Sequence, residues 1–523
     1  MDAPHRETVQ KLKNELIRST LVVSCMTTLS RVLGLARDIV IASLFGAGQG
    51  VDAFIVAFRI PNFLRRLFAE GGFSQAFVPV IAEYRENRSQ DEVQALIDQT
   101  SASLGLILLL TTIAGILAAP LLVLVFAPGF IDEPAKQALA TKMLRLTFPY
   151  LLFISLTAFA GGILNTYRRF AVPAFTPVLL NLCLIACAIW LAPYCKEPVV
   201  ALAWGVLLGG VVQLLFQVPF LWRLRLFPRP AFNRDRHGMK RIFRLLIPAL
   251  FAISITQINL LIDTLIASFL VDGSISWLYF SDRVVEFPLG VFGIALSTVI
   301  LPNLSEHHAR QSMDEFRRTL DWALRWVLLI SLPAAVGLVL LATPALTTLF
   351  QYREFTHGDV LMAGRSLCAY AVGLPAFILI KVLATGFFSR QDTRTPVVIG
   401  GIAMVAGIIL NLMLVFPLRH AGLALATSLA AWINAGLLYR ALNRSCGGII
   451  GTGWSAYLVK VGVALFLMSA VLSLAVPSLD EWVAWDMAAR VIRLGFWIVC
   501  GACVYLMAAR ILGIRFRQMT HHP

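Results

Sequence analysis

Five stretches of the sequence, 99–131, 170–195, 198–222, 326–352 and 395–418, contain no Asp, Glu, Lys or Arg. Each is longer than the ~20 residues that an apolar helix needs to cross the hydrocarbon core of a bilayer. Composition agrees: the chain is 58% hydrophobic and 14% charged, against roughly 45–50% and about 25% in soluble domains. The expected fold is therefore an all-α polytopic membrane protein, and a soluble globular fold is excluded.

Apolar runs between polar breaks give fourteen expected spans, near 19–45, 52–80, 97–119, 139–164, 174–193, 199–222, 243–270, 275–303, 320–342, 360–388, 396–416, 421–439, 454–476 and 489–511. An even number puts both termini on one side. That side's loops then hold Arg6 to Arg18, Arg85, Arg88, Arg168, Arg169, the basic run Arg223 to Arg244, Arg310, Arg317, Arg318, Arg390, Arg394, Arg440, Arg444, Arg515 and Arg517. The opposite loops hold Lys136, Lys196, Arg353 and Arg419. Basic residues collect in cytoplasmic loops, so both ends are expected in the cytoplasm of a multi-pass protein. The same asymmetry accounts for the net charge of +15 and removes the main support for nucleic acid as a partner. Residues 1–18 are polar and basic, and no cleavable signal is expected.

An internal repeat organises these spans. Ile41-Ala-Ser43 recurs as Ile266-Ala-Ser268, with Asp38 matching Asp263 and Gly48 matching Gly273, at an offset of 225 residues. Val78-Pro-Val-Ile-Ala-Glu83 recurs as Leu301-Pro-Asn-Leu-Ser-Glu306, and Ala201-Leu-Ala203 as Ala424-Leu-Ala426, both at 223. Three ordered matches at offsets within two residues of one another imply two six-helix lobes of the same topology, 1–222 and 243–443. A basic linker, 223–242, joins them, and spans 13 and 14 with a cytoplasmic tail (444–523) lie outside the repeat. An even-numbered repeat is a parallel one, as in several transporter folds.

Spans 3 to 6 and 11 to 13 are nearly free of charge in their middles, Arg365 and Lys381 in span 10 either face a cavity or snorkel, and the charges that stand out fall in four spans. Span 1 carries Arg31, Arg37 and Asp38; span 2 carries Asp52, Arg59, Arg65, Arg66 and Glu70; span 7 has Asp263; span 8 has Asp282, Arg283 and Glu286. On insertion scales Arg or Asp at mid-membrane costs roughly 2.5–3.5 kcal/mol, so such residues face one another or a watery cavity. Arg31 and Asp38 share a helix face, and Gly34 offers a bend that turns Arg37 inward. Asp52, Arg59, Arg66 and Glu70 follow i, i+7, i+14, i+18 and form one stripe, with Pro61 as a kink site. Internal salt bridges that only lock the bundle would explain the charges too. Against that, they occupy corresponding spans of the two halves, and arginines outnumber acids in the first. Guanidinium binds phosphate and carboxylate oxygens bidentately, which points to an anionic, phosphorylated substrate.

Other chemistry finds little support. No histidine falls within an expected span, and the eight cysteines, mostly in apolar runs, form neither a disulfide framework nor a metal knuckle. Asp263 is a candidate cation ligand or a partner for a cavity arginine, and Asp392 is a loose second ligand; a cation site needs several oxygens. Without a P-loop or an acidic metal cluster, no nucleotide and no enzymatic activity are expected.

Specific motifs carry a resemblance. They are Ser30-Arg-Val-Leu-Gly-Leu-Ala-Arg-Asp38, Phe45-Gly-Ala-Gly48, Asp52-Ala-Phe54, Pro61-Asn-Phe-Leu-Arg-Arg-Leu-Phe-Ala-Glu-Gly71, Phe73-Ser-Gln-Ala-Phe-Val-Pro79, Trp277-Leu-Tyr-Phe-Ser-Asp-Arg283, Glu286-Phe-Pro288, Phe350-Gln-Tyr352 and Ser389-Arg-Gln-Asp392. Together they resemble the MurJ (MviN) lipid II flippases of the multidrug/oligosaccharidyl-lipid/polysaccharide exporter superfamily. The resemblance implies two six-helix lobes around a cavity, two further helices shaping a lipid groove, and the bacterial inner membrane as location. It implies lipid II as substrate, moved by alternating access toward peptidoglycan synthesis, with membrane lipids and the cell-wall machinery as partners. Arg31, Arg37, Arg65 and Arg283 fall on the family's cavity arginines, and Asp52, Glu70 and Glu286 on its acidic and gate positions. Here the family pattern favours Arg65 where the helical stripe favours Arg66. No cofactor is implied, a monovalent cation or chloride excepted. The membrane potential would drive a net positive cavity inward, at about 2.3 kcal/mol per charge per 100 mV. Rival readings are an exporter of drugs or of another polyprenyl-linked glycan, and a membrane-embedded glycosyl or phosphate transferase.

Overall fold

In a computed structural model the described residues are 3–66, 72–231, 241–242, 244, 261–293, 300–306 and 312–514, with side chains from 21 onward except 72–75 and 291–292. Every regular element among them is a helix. The chain divides into two compact units, Met1–Asp272 and Gly273–Pro523. The expected linker, 223–242, lies largely outside the described residues.

The first unit contains α1 (Ala3–Phe45), α2 (Gln49–Arg65), α3 (Gly72–Asn87), α4 (Gln90–Leu117), α5 (Ala119–Phe126), α6 (Pro134–Thr147), α7 (Tyr150–Thr166), α8 (Ala171–Ala186), α9 (Val200–Arg223) and α10 (261–267). Prolines set several of its boundaries. Pro149 has no N–H to continue the ladder of α6, so α7 starts anew after it. Pro134 opens α6 at a position where a missing donor costs nothing. At the start of α4 a capping box ties Ser89 to Glu92 and satisfies donors that the first turn leaves unpaired.

The second unit holds α11 (Ser274–Pro288), α12 (300–306), α13 (Met313–Leu340), α14 (Ala342–Phe350), α15 (His357–Phe388), α16 (Arg394–Leu418), α17 (His420–Cys446), α18 (Trp454–Ala475), α19 (Leu479–Ala484) and α20 (Met487–Ile511). Outside the repeat, α18 is pinned to α13 by Asp321, whose Oδ1 accepts from the Gly451 amide at 2.8 Å and from Trp454 Nε1 at 2.5 Å. Arg325 completes that joint, donating to Asp321 Oδ2 at 2.9 Å and stacking over Trp454 and Tyr457.

Among the described residues, ten helical segments are long and apolar enough to cross a membrane: 90–117, 134–166, 171–194, 200–223, 313–340, 357–388, 394–418, 420–446, 454–475 and 487–511. They coincide with expected spans 3 to 6 and 9 to 14. The other four expected spans are the ones that bear charges, and spans 7 and 8 also run into residues outside the description. The repeat is legible in the local structure. Gly48 and Gly273 each N-cap the second helix of their half, α2 and α11, and Gly273 does so at φ 89°, which favours a residue without Cβ. Ala201 and Ala203 on α9 and Ala424 and Ala426 on α17 are all fully buried.

Candidate functional site

On α1, Asp38 is buried and Arg37 lies over it. Arg37 Nε and Nη2 donate to Asp38 Oδ1 at 2.9 and 2.6 Å, and Nη1 donates to Asn181 Oδ1 of α8 at 3.1 Å. Asn181 Nδ2 donates in turn to the Ser30 carbonyl at 3.1 Å, joining α1 to α8. Helix α1 stays helical through Gly34. Arg31, two turns before Asp38, is exposed. A buried carboxylate is thus matched by a guanidinium that also reaches across to α8.

The polar stripe expected on α2 lies along α10. Gln49 Nε2 donates to Asp272 Oδ2 at 2.8 Å, just beyond α10, and Arg59 Nη1 donates to Thr264 Oγ1. Position rises along one segment as it falls along the other, so the two run antiparallel. Between them sits Lys136, from the first turn of α6. Sequence placed it in an outer loop, but it is 3% exposed. Its Nζ lies 2.5 Å from Asp272 Oδ1 and 3.6 Å from Asp52 Oδ2, and 4.5 Å over the Phe130 ring. Asp52 itself is 1% exposed in the first turn of α2, where the helix dipole also favours an acid. Burial pushes the Asp272 carboxyl up, but hydrogen bonds from Lys136 and Gln49, with the lysine charge, outweigh it and hold the group below the usual carboxylate range. Gly129 fixes how closely the loop before α6 approaches: its amide donates to Ser268 Oγ at 3.0 Å, and a Cβ there would lie 2.2 Å from the Ser268 carbonyl oxygen.

Farther along α2, Arg65 Nε donates to Asn62 Oδ1 at 2.7 Å, and Arg66, at the C-cap, is half-buried. Glu70 lies outside the described residues. In the second unit, Arg283 Nη1 pairs with Glu286 Oε2 at 2.6 Å one turn on, with the guanidinium 4.8 Å over the Tyr279 ring. Both side chains remain well exposed, Arg283 at 35% and Glu286 at 48%. Trp277, one face earlier on α11, donates from Nε1 to Asp359 Oδ1 at 2.8 Å and packs against His420. His420 corrects the expectation that no histidine enters a span: it opens α17, 3% exposed, with Nε2 3.0 Å from the Met362 carbonyl oxygen.

The cation candidates have ordinary explanations available. Asp392 caps α16: its Oδ2 accepts from Thr395 Oγ1 at 2.6 Å and its Oδ1 from the Thr395 amide at 3.0 Å. Those bonds hold its pKa low. Asp263 is half-buried on α10. Among the described residues no three His, Cys, Asp or Glu side chains come together as a metal site would need.

Two positions here escaped sequence reasoning. Asn181 is a lone polar residue within a charge-free run. Lys136 is one of few basic residues in the loops opposite the basic ones, a signal that a count of loop charges discards.

Comparison with known proteins places this arrangement. The sequence model described as "Lipid II flippase MurJ" matches residues 41–492. A probable lipid II flippase MurJ of Vibrio cholerae is 46% identical over 519 residues, covering 97% of this chain and 98% of that one. The lipid II flippase MurJ of Burkholderia cenocepacia is 44% identical, covering 86% and 89%. Among solved structures, a lipid II flippase MurJ in an inward closed conformation superposes with TM-score 0.80 at 27% identity, over 96% of this chain and all of that one. An inward-facing multidrug resistance MATE transporter of the MOP superfamily shares the fold, with TM-score 0.68 at 16% identity, over 82% and 98%. With the buried Arg37–Asp38 pair on α1, the charged stripe of α2 and this coverage, the chain belongs to the MurJ lipid II flippase family.

Proposed function

We infer that this protein is a lipid II flippase, carrying undecaprenyl-pyrophosphate-linked disaccharide-pentapeptide from the cytoplasmic to the periplasmic leaflet for peptidoglycan synthesis. The observation that carries the reading is the set of arginines on the charged helices of a chain in this family, Arg37 held by Asp38 and Asn181, Arg59 on Thr264, and Arg283 held by Glu286. Positive loops set both termini in the cytoplasm. The pyrophosphate is held by Arg31, Arg37, Arg65 and Arg283, which keep their charge at any physiological pH. Asp38 and Glu286 hold Arg37 and Arg283 in place until substrate oxygens compete for them. The lobes alternate access, and the lipid tail stays in the bilayer beside α18 and α20. Lys136, Asp52 and Asp272 join the outer end of α2 and α6 to the first helix of the second half, and an outward opening separates them.

Replacing Arg37 or Arg283 with Ala removes a charge-assisted contact to phosphate, a loss of roughly 1.5–3 kcal/mol. In cells depleted of their own flippase, outer-leaflet lipid II measured by an externally added nisin-type probe or cleaving enzyme is expected to fall about tenfold or more. Undiminished exposure with either variant would remove these arginines from the substrate path.

A further inference from the structure

A cleft of about 670 Å³ lies at one end of the first unit, away from the charges of α1 and α2, lined by one face of α6 together with Pro120, Val200 and Trp204. That size suits a small-ligand or lipid-headgroup site. The cleft combines two chemistries. Lys142 and Arg145, one turn apart on α6, supply positive charge, while Leu146, Val200, Pro120 and Trp204 supply an apolar wall. Lys142 pairs with Glu197 at 2.6 Å, both side chains about half exposed. Arg145 is exposed and has no ion-pair partner among the described residues, so the cleft keeps a net positive charge.

Depth along the helices fixes what can reach it. Trp204 is in the second turn of α9, Pro120 follows the end of α4, and Arg145 stands roughly 17 Å along α6 from Pro134. The span formed by α6 and α7 covers 33 residues, about 50 Å at the helical rise, longer than the ~30 Å hydrocarbon core. Centred on that core the span overhangs by about 10 Å at each end. Lys142, about 12 Å from Pro134, therefore sits at the headgroup boundary, where tryptophan also concentrates, and Arg145 lies about one turn inside it, its long stem reaching toward the headgroups. By the orientation inferred above, that boundary is the outer leaflet. An unpaired guanidinium at this depth is costly unless an anion meets it, and a phosphodiester is the anion that leaflet supplies at high density.

We propose that this cleft binds an anionic glycerophospholipid of the outer leaflet, with its phosphate on Arg145 and Lys142 and an acyl chain along Leu146, Val200 and Trp204. Glu197 orients Lys142 and limits the charge, so that the site takes one phosphodiester. The site is separate from the one proposed for the transported lipid, so loss of either leaves the other measurable.

Native mass spectrometry of the full-length chain tests this, with titration of phosphatidylglycerol and of phosphatidylcholine with the same acyl chains. The wild type is expected to retain phosphatidylglycerol preferentially. Arg145→Ala should weaken that retention about tenfold, in line with the loss of a charge-assisted hydrogen bond, and leave phosphatidylcholine unaffected. Arg145→Lys should recover part of it, and Glu197→Gln should strengthen it. Equal retention of the two lipids by the wild type, unchanged phosphatidylglycerol binding in Arg145→Ala, or full displacement by millimolar inorganic phosphate would each overturn the proposal. The variant's lipid II transport, read separately, controls for misfolding.

Discussion

Lys136→Met is expected to destabilise the outer end of the first unit by about 3–5 kcal/mol, the usual consequence of removing one partner of a buried ion pair. The methionine keeps most of the stem that packs near Phe130, so the loss is of charge rather than volume. What remains is Asp52, 1% exposed, with its carboxylate stripped of the ammonium 3.6 Å away. Asp52→Asn in the same chain should restore most of the loss, because the carboxylate charge left buried there, more than a missing contact, causes it. Asp272 is different. Its side chain is 37% exposed, so water replaces the lysine, and Asp272→Asn should cost no more than about 1 kcal/mol. The order expected in thermal unfolding of the purified protein is therefore Lys136→Met far below Asp272→Asn, with the double variant Lys136→Met/Asp52→Asn in between. A Lys136→Met protein that unfolds with the wild type would contradict the role of this ion pair. Because the Asp272 carboxyl is held below its ordinary pKa, its share of this stabilisation is present above the ordinary carboxylate range. It is lost as pH falls through the lowered value.

Arg490→Leu is the second large effect. Arg490 is 7% exposed at the start of α20, and among the described residues its hydrogen-bond acceptors are backbone carbonyls: Trp482 at 3.1 Å, Val483 at 2.7 Å, Gln351 at 3.2 Å and Thr347 at 3.5 Å. The first two belong to the last turn of α19, and the others lie at the end of α14. Each helix C-terminus carries roughly half a negative charge, so two of them together balance one guanidinium without any carboxylate. Beside it the fully buried Trp482 donates to Thr348 Oγ1 at 3.0 Å. Leucine would leave several carbonyls buried without donors, at about 1–3 kcal/mol each. A loss of several kcal/mol is expected, concentrated in the docking of α19 and α20 onto α14. Limited proteolysis should then cut the segment between α18 and α20 much faster than in the wild type. Lysine at 490 should rescue only partly, since an ammonium lacks the planar fork that reaches both helix ends. Cleavage at the wild-type rate in Arg490→Leu would contradict this role.

These two residues mark where sequence reading stops. Apolar runs between polar breaks found the ten apolar helices because spanning length is a one-dimensional property, and the repeat found Gly48 and Gly273 at the heads of equivalent helices for the same reason. The spacing of Asp52 and Arg59 also survived as a shared face along α10, since helical periodicity alone sets it. Lys136 and Arg490 depend instead on which element folds back onto which. A lysine at a helix start reads as a surface cation until its two aspartates, 84 residues before and 136 after, are brought to it. Arg490 has no acidic partner to hint at it; its counter-charge is the backbone of two short helices. Asp392, which looked like a loose cation ligand, turned out to cap α16, a use that its spacing to Thr395 already permitted.

The central claim, transport of lipid II, is tested most directly in liposomes containing the purified protein and fluorescent lipid II in the inner leaflet. With an inside-negative potential in the cellular orientation, or its equivalent in the vesicle, wild-type protein is predicted to expose the label to an external quencher. The Arg37→Ala/Arg283→Ala protein should not, and a polyprenyl lipid lacking the pyrophosphate should not move. Equal exposure with and without the two arginines, or equal transport of the lipid without pyrophosphate, would contradict the account.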